Sequence, residues 1–159
     1  MNLEKLVGLE GFRYDPAAYR CAYLKDSGTK GKVSIFATGR MICVGCKSLD
    51  DAKLDLQYAA NKLTDLGLIT RPKTIVPKLR NIVATGELGR AIDIERLASK
   101  LPNVLYEPEQ FSGAIYHAEE LEGGSVLIFA SGKVVFAGLK SLELLQVARH
   151  TLEKLAQYS

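Results

Sequence analysis

Two short runs of β-branched and apolar residues, at 33–37 and 126–130, read as strands. Each ends on a small polar residue followed by glycine, Thr38-Gly39 and Ser131-Gly132, and a second apolar run follows at 40–45 and 133–138. Glycine between two such runs predicts a hairpin, because tight turns use backbone angles that a Cβ disfavours. Gly45 and Gly138 close the return strands. Beyond Gly45 the apolar spacing becomes helical: Ala52, Leu56, Ala59, Leu63 and Leu66 share one stripe. Ser48, with Asp51 three residues on, predicts the N-cap of that helix over 49–66, and Gly67 its end. Leu145, Ala148, Leu152 and Leu155 predict a second helix over 142–157. A further helix follows Asp93 with Ile94, Leu97, Ala98 and Leu101 and stops before Pro102, and residues 79–87 read as one more strand. The fold class is α+β, an antiparallel sheet with its helices gathered on one side.

The chain repeats itself. Residues 33–49 (VSIFATGRMICVGCKSL) align without a gap on residues 126–142 (VLIFASGKVVFAGLKSL), with nine of the 17 positions identical at an offset of 93. Tyr14-Asp15-Pro16 matches Tyr106-Glu107-Pro108 at an offset of 92. The pattern breaks at Arg71-Pro72-Lys73, which gives two repeats, 1–72 and 73–159.

Strand side chains alternate between faces. One face takes Val33, Ile35, Ala37, Met41 and Cys43, the other Ser34, Phe36, Ile42 and Val44. In the second repeat the split is Val126, Ile128, Ala130, Val134 and Phe136 against Leu127, Phe129, Val135 and Ala137. Both faces are apolar, yet each repeat offers amphipathic helix for only one. Either the repeats pack sheet against sheet, or an apolar sheet is left open to press on a partner, as large apolar patches usually do.

Composition narrows the classes. In 159 residues, 47% apolar content excludes disorder, and no apolar run approaches the ~18 residues of a membrane span. Three cysteines are too few for a disulfide scaffold and point to a reducing compartment. The net charge of +3 hides an asymmetry: residues 1–80 hold 14 Lys and Arg against 8 Asp and Glu, and residues 81–159 hold 7 against 10. A polyanion suits the first half and a different partner the second.

Residues 126–142, the segment Tyr106-Glu107-Pro108-Glu109-Gln110-Phe111 and residues 75–85 resemble the TATA-box-binding protein family, and the resemblance covers essentially the whole chain. It implies a saddle-shaped antiparallel sheet built from the two-fold repeat, with helices on the convex side and the minor groove of double-stranded, A·T-rich promoter DNA on the concave side. It implies a general transcription initiation factor with a transcription factor IIB-type partner, no catalysis and no cofactor, cytoplasmic in an archaeon and nuclear in a eukaryote. Paired Phe wedges enter base steps and kink the duplex in this mode.

Residue by residue, the resemblance makes Phe111 and Phe129 one wedge pair, and Phe36 half of the other, with Tyr19 where the second Phe belongs. Asn81 matches a minor-groove donor, and Val83, Leu127 and Val135 match the apolar floor, with Ile42 on the same open face. Val44 and Ala137 replace a Thr in each last strand, which removes two hydrogen bonds to bases. Lys25, Lys30, Arg40 and Lys47 match phosphate contacts in the first repeat, joined by Arg20 and Lys32; Lys133 and Lys140 do so in the second. His117, Glu119, Glu120 and Glu122 line a loop that is basic in the family, so DNA grip is expected to be weaker there. Glu107 and Glu109 match the surface offered to the IIB-type protein.

Two alternatives stand beside this reading. One is a divergent paralogue that binds proteins and little or no DNA. The other is a thiol-redox protein, from Cys43-x-x-Cys46 ahead of a helix. The repeat places Phe136 and Leu139 at those positions, which favours packing. Two cysteines alone do not make a zinc site, and His117 and His150 sit at no ligand spacing, so no metal is expected. The offset puts the first repeat's counterpart of strand 79–87 ahead of Met1, so that the chain opens inside a first helix at residues 3–9. Either the natural protein starts earlier, or a short chain covers its unpaired strand edge as a homodimer.

Overall fold

The computed structural model describes residues 1–72 and 74–158; Lys73, in the expected junction, and Ser159 lie outside them. The chain divides into two units, Met1–Lys78 and Leu79–Ser159, each around its own core.

In the first unit, β1 (Phe12–Arg13), β2 (Cys21–Leu24), β3 (Lys32–Phe36) and β4 (Met41–Val44) form an antiparallel sheet in chain order. The helix α1 (Leu49–Asp65) follows, and the Ser48 hydroxyl accepts the Asp51 N–H at 3.1 Å, the cap the sequence predicts. Leu56, Ala59 and Leu63 of α1 close over Val33 and Ile35 of β3, which are fully buried. The opening segment is a 3-10 turn, Leu3–Leu6, shorter than the helix expected over 3–9. Val7, at ψ 128°, already leaves helical geometry, and Gly8, at φ +77, turns the chain further. Leu3 and Leu6 still anchor it in the core.

In the second unit, β5 (Ile82–Glu87), α2 (Ile94–Lys100), β6 (Val104–Leu105), β7 (Gly113–Tyr116), β8 (Ser125–Phe129), β9 (Lys133–Leu139) and α3 (Glu143–Tyr158) follow in sequence. The antiparallel sheet runs β5-β9-β8-β7-β6. Both predicted hairpins form. The Gly39 N–H donates to Phe36 at 2.9 Å and the Gly132 N–H to Phe129 at 2.8 Å. Gly132 sits at φ +86, and a Cβ there would collide with the Arg90 carbonyl, so the turn admits only glycine.

Most boundaries shift by a residue from the sequence reading, and two differences have a structural cause or consequence. β5 begins at Ile82 rather than 79, and its register shifts between Ile82 and Ala84, so Asn81 lies just outside the strand. β9 runs through Gly138 to Leu139, whereas β4 stops at Val44. The cause of the second difference is pairing. Ile82 of β5 pairs with Leu139 and extends β9, while β4 is the outer strand of its sheet.

Candidate nucleic-acid interface

Within the strands the faces split as the alternation requires; Ala37 and Ala130, expected on the core face, are exposed where the hairpin turns begin. Val126, Ile128, Val134 and Phe136 are buried under the second unit's helices. Leu127, Phe129, Val135 and Ala137 face the other way, half-buried, with Val83 beside them at 58% exposure. Phe111 and Phe129 meet edge to face, ring centroids 5.7 Å apart at 67°. Gly113 lies opposite Phe129 in the ladder. A Cβ there would stand 3.0 Å from the Phe111 ring, 3.2 Å from the Phe129 ring and 3.0 Å from the Ile128 carbonyl. The missing side chain is what lets the two rings close over the strand.

The same turn sets the aromatic in both repeats. The Phe111 N–H donates to the Glu107 carbonyl at 2.9 Å, and the Tyr19 N–H to the Asp15 carbonyl at 2.8 Å. Glu107 and Glu109 are exposed on that turn. Across the first sheet, however, Cys21 stands where the second has Gly113: Cys21 pairs with Phe36 as Gly113 pairs with Phe129. Tyr19, 53% exposed, meets Tyr23 edge-on at 5.5 Å and 80°. Lys32 Nζ sits 4.6 Å over the Tyr23 ring. Ile42 and Val44 complete this face at 44% and 48% exposure. Sequence reasoning missed Tyr23 and Cys21; the register of β2 against β3 is the signal that places them on the open face with Phe36.

Lys30, Arg40, Lys47 and Lys133 are exposed. Lys25 is partly committed, its ammonium donating to the Thr29 and Lys30 carbonyls at 3.2 and 2.8 Å. Lys140 Nζ lies 3.4 Å from the Glu122 carbonyl. In the acidic loop, Glu120 turns toward α3, 3.5 Å from both Lys154 Nζ and Thr151 Oγ1. Its own backbone N–H, and Lys154 against the cost of burial, hold that carboxyl below the usual range. Glu119 and Glu122 remain exposed.

The expectation of apolar packing around Cys43 and Cys46 needs correcting. Their sulfurs lie 3.4 Å apart, and 3.6 and 3.4 Å from Asp55 Oδ2. Asp55 is only 2% exposed and accepts the Lys30 N–H at 2.9 Å and the Gly31 N–H at 2.7 Å. Burial raises the Asp55 carboxyl, but those N–H groups and the two thiols outweigh it and hold it low. Burial, then Cys46 and Asp55, push the Cys43 thiol far up, the opposite of an activated redox nucleophile.

Against known proteins, the family model "Transcription factor TFIID (or TATA-binding protein, TBP)" matches residues 1–66 and 76–158. The TATA-box-binding protein of Cenarchaeum symbiosum is 39% identical over 143 residues, 89% of this chain and 77% of that protein. That of Thermococcus kodakarensis is 32% identical over 161 residues, 99% of this chain and 83% of its own length. The solved structure of Methanococcus jannaschii TBP superposes with a TM-score of 0.80 at 32% identity, covering 98% of this chain and 88% of that one. Among the described residues no helix is long and apolar enough to cross a membrane.

Proposed function

Because the chain belongs to the TATA-box-binding protein family, we propose that it serves as a general transcription initiation factor that binds and bends A·T-rich promoter DNA and recruits a factor IIB-type protein. The observation that carries this reading is the open apolar face of the second unit's sheet, with the Phe111–Phe129 pair on it.

Phe111 and Phe129 wedge into one base step, and Phe36 with Tyr19 into another. Unstacking costs a few kcal/mol per step and is offset by the wider contact that bent DNA allows. Val83, Leu127, Val135, Ile42, Val44 and Ala137 line a floor that fits A·T pairs, which lack the guanine amino group in the minor groove. Asn81 donates to N3 or O2 acceptors there. Lys30, Arg40, Lys47 and Lys133 neutralise phosphates, with Lys25 and Lys140 contributing once released from loop carbonyls. Glu107 and Glu109, on the turn that sets Phe111, face the protein partner.

The protein-binding paralogue is the second reading, favoured by Glu119 and Glu122 beside the sheet and by two last-strand positions, Val44 and Ala137, without a base donor. Among the described residues β4 pairs with a strand on one side only, which favours self-association. One experiment separates these readings. An A·T-rich duplex labelled at both ends is titrated at several salt concentrations, with and without a IIB-type protein, with light scattering on the free protein. Salt-dependent binding with a rise in end-to-end energy transfer is the expected result. A protein that captures the IIB-type partner and leaves the duplex free at low salt overturns it in favour of the paralogue.

A further inference from the structure

The repeat supplies an internal control for the cluster around Cys43. At the 93-residue offset, Cys43, Cys46 and Asp55 correspond to Phe136, Leu139 and Ala148, all buried in the second core. The correspondence holds in space. A Cβ on Gly31 would meet the Val44 carbonyl and Cys46 Sγ; one on Gly124 would meet the Ala137 carbonyl and Leu139. The fold therefore fills this place with hydrocarbon in one unit, and with two thiols and a carboxylate in the other. A buried carboxylate is costly unless its oxygens are used.

We propose that Cys43, Cys46 and Asp55 bind a single thiophilic divalent cation, with zinc the best fit, leaving one coordination position open to solvent. A tetrahedral zinc, with Zn–S of ~2.3 Å and Zn–O of ~2.0 Å, sets two sulfurs about 3.8 Å apart and sulfur and oxygen about 3.5 Å apart. The three atoms here are separated by 3.4, 3.4 and 3.6 Å, so the triangle needs only small adjustment to hold an ion. Two thiolates select zinc over magnesium or calcium, which prefer all-oxygen sites. The surroundings are those of a supported site. Asp55 is oriented by the backbone N–H groups of Lys30 and Gly31, as ligating carboxylates are by outer hydrogen bonds. Gly31 carries no side chain where Cys46 Sγ must approach. Cys43 and Cys46 are half-buried, so an ion can enter. Binding displaces two thiol protons, and the cation supplies the positive charge that Asp55 and the sulfurs lack among themselves. The ion would tie the end of β4 and its following turn, which bears Lys47, to α1 and to the loop before β3.

Cobalt titration tests this. The full chain, stripped with chelator under reducing conditions, is titrated with Co(II) and then with Zn(II). One equivalent of cobalt is expected to give near-ultraviolet thiolate charge transfer and tetrahedral ligand-field absorption, both bleached by zinc, and zinc is expected to raise the thermal midpoint. Cys46→Leu and Cys43→Val, which move these positions toward the second repeat's apolar chemistry, are expected to fold and to lose both signals. Cobalt that shows only octahedral absorption overturns the proposal. So does a thermal shift that survives in Cys46→Leu, or a pair of thiols that forms a disulfide on mild oxidation yet gives no cobalt spectrum.

Discussion

Replacing Asp55 with alanine looks harmless from the repeat, since Ala148 occupies the equivalent place, yet it is expected to destabilise the first unit substantially. Gly124, the counterpart of Gly31, donates its N–H to the Leu121 carbonyl at 2.8 Å, so the second unit needs no carboxylate there. Gly31 donates to Asp55 at 2.7 Å in a buried setting, and Lys30 donates at 2.9 Å in a partly buried one. Orphaning the Gly31 donor costs about 1–3 kcal/mol, and losing the Lys30 bond, which water can partly replace, about 1 kcal/mol more. Alanine returns roughly 0.5 kcal/mol through better helix propensity. The net loss is about 1.5–3.5 kcal/mol, or roughly 3–14 °C in the midpoint of a domain pair of this size. Urea unfolding followed by circular dichroism, in chelator-treated buffer at pH 7, measures it. A loss below about 0.5 kcal/mol with an unchanged slope would show that solvent reaches the Gly31 amide, and would refute the reasoning.

Phe129→Ala is expected to keep the fold, since the ring lies on the open face, and to remove most of the energy-transfer rise on DNA binding. Arg40→Ala with Lys47→Ala is expected to weaken DNA binding and to flatten its log–log salt dependence by about one unit for each phosphate no longer neutralised, read from titrations at several salt concentrations. Glu107→Arg with Glu109→Arg is expected to spare DNA binding and to abolish capture of the IIB-type protein in a supershift assay. Asp26 gives a pH signature. Burial raises its carboxyl, but the Lys62 ammonium at 2.6 Å, the Gly28 N–H and the Tyr58 hydroxyl outweigh this and hold it low. Its contribution is therefore full above the unfolded value of about 3.9 and is lost as pH falls through the lower folded value, so Asp26→Asn should narrow its stability gap to the parent below about pH 4.

Hairpins and long helices were legible because their signals are local: a glycine where φ must be positive, a capping serine, an apolar stripe. The strands β1, β2, β6 and β7 span two to four residues, too few to establish a period, and only their ladder partners define them. The wedge pair of the second repeat was legible from Phe111 and Phe129 themselves. The pairing of Tyr19 with Tyr23 was not, because it depends on Cys21 standing opposite Phe36, a matter of register. Asp55 was the hardest to see. A charged residue on a helix reads as a solvent-facing position, although its spacing from Ala52 and Ala59 and its alignment with Ala148 both put it on the buried stripe.

The different neighbours of β4 and β9 give the two copies of one hairpin different clocks. β9 is held on both sides, so its amides become exchangeable only when β5 or β8 lets go. Along β4 the ladder to β3 engages alternate residues, and the amides between them point outward from the sheet. In deuterated solvent those amides label early, at the rate of small local openings, while their counterparts in β9 wait for a larger cooperative event. A hairpin built twice on the same plan is thus uneven in lifetime, with its soft edge on the strand that carries Ile42 and Val44.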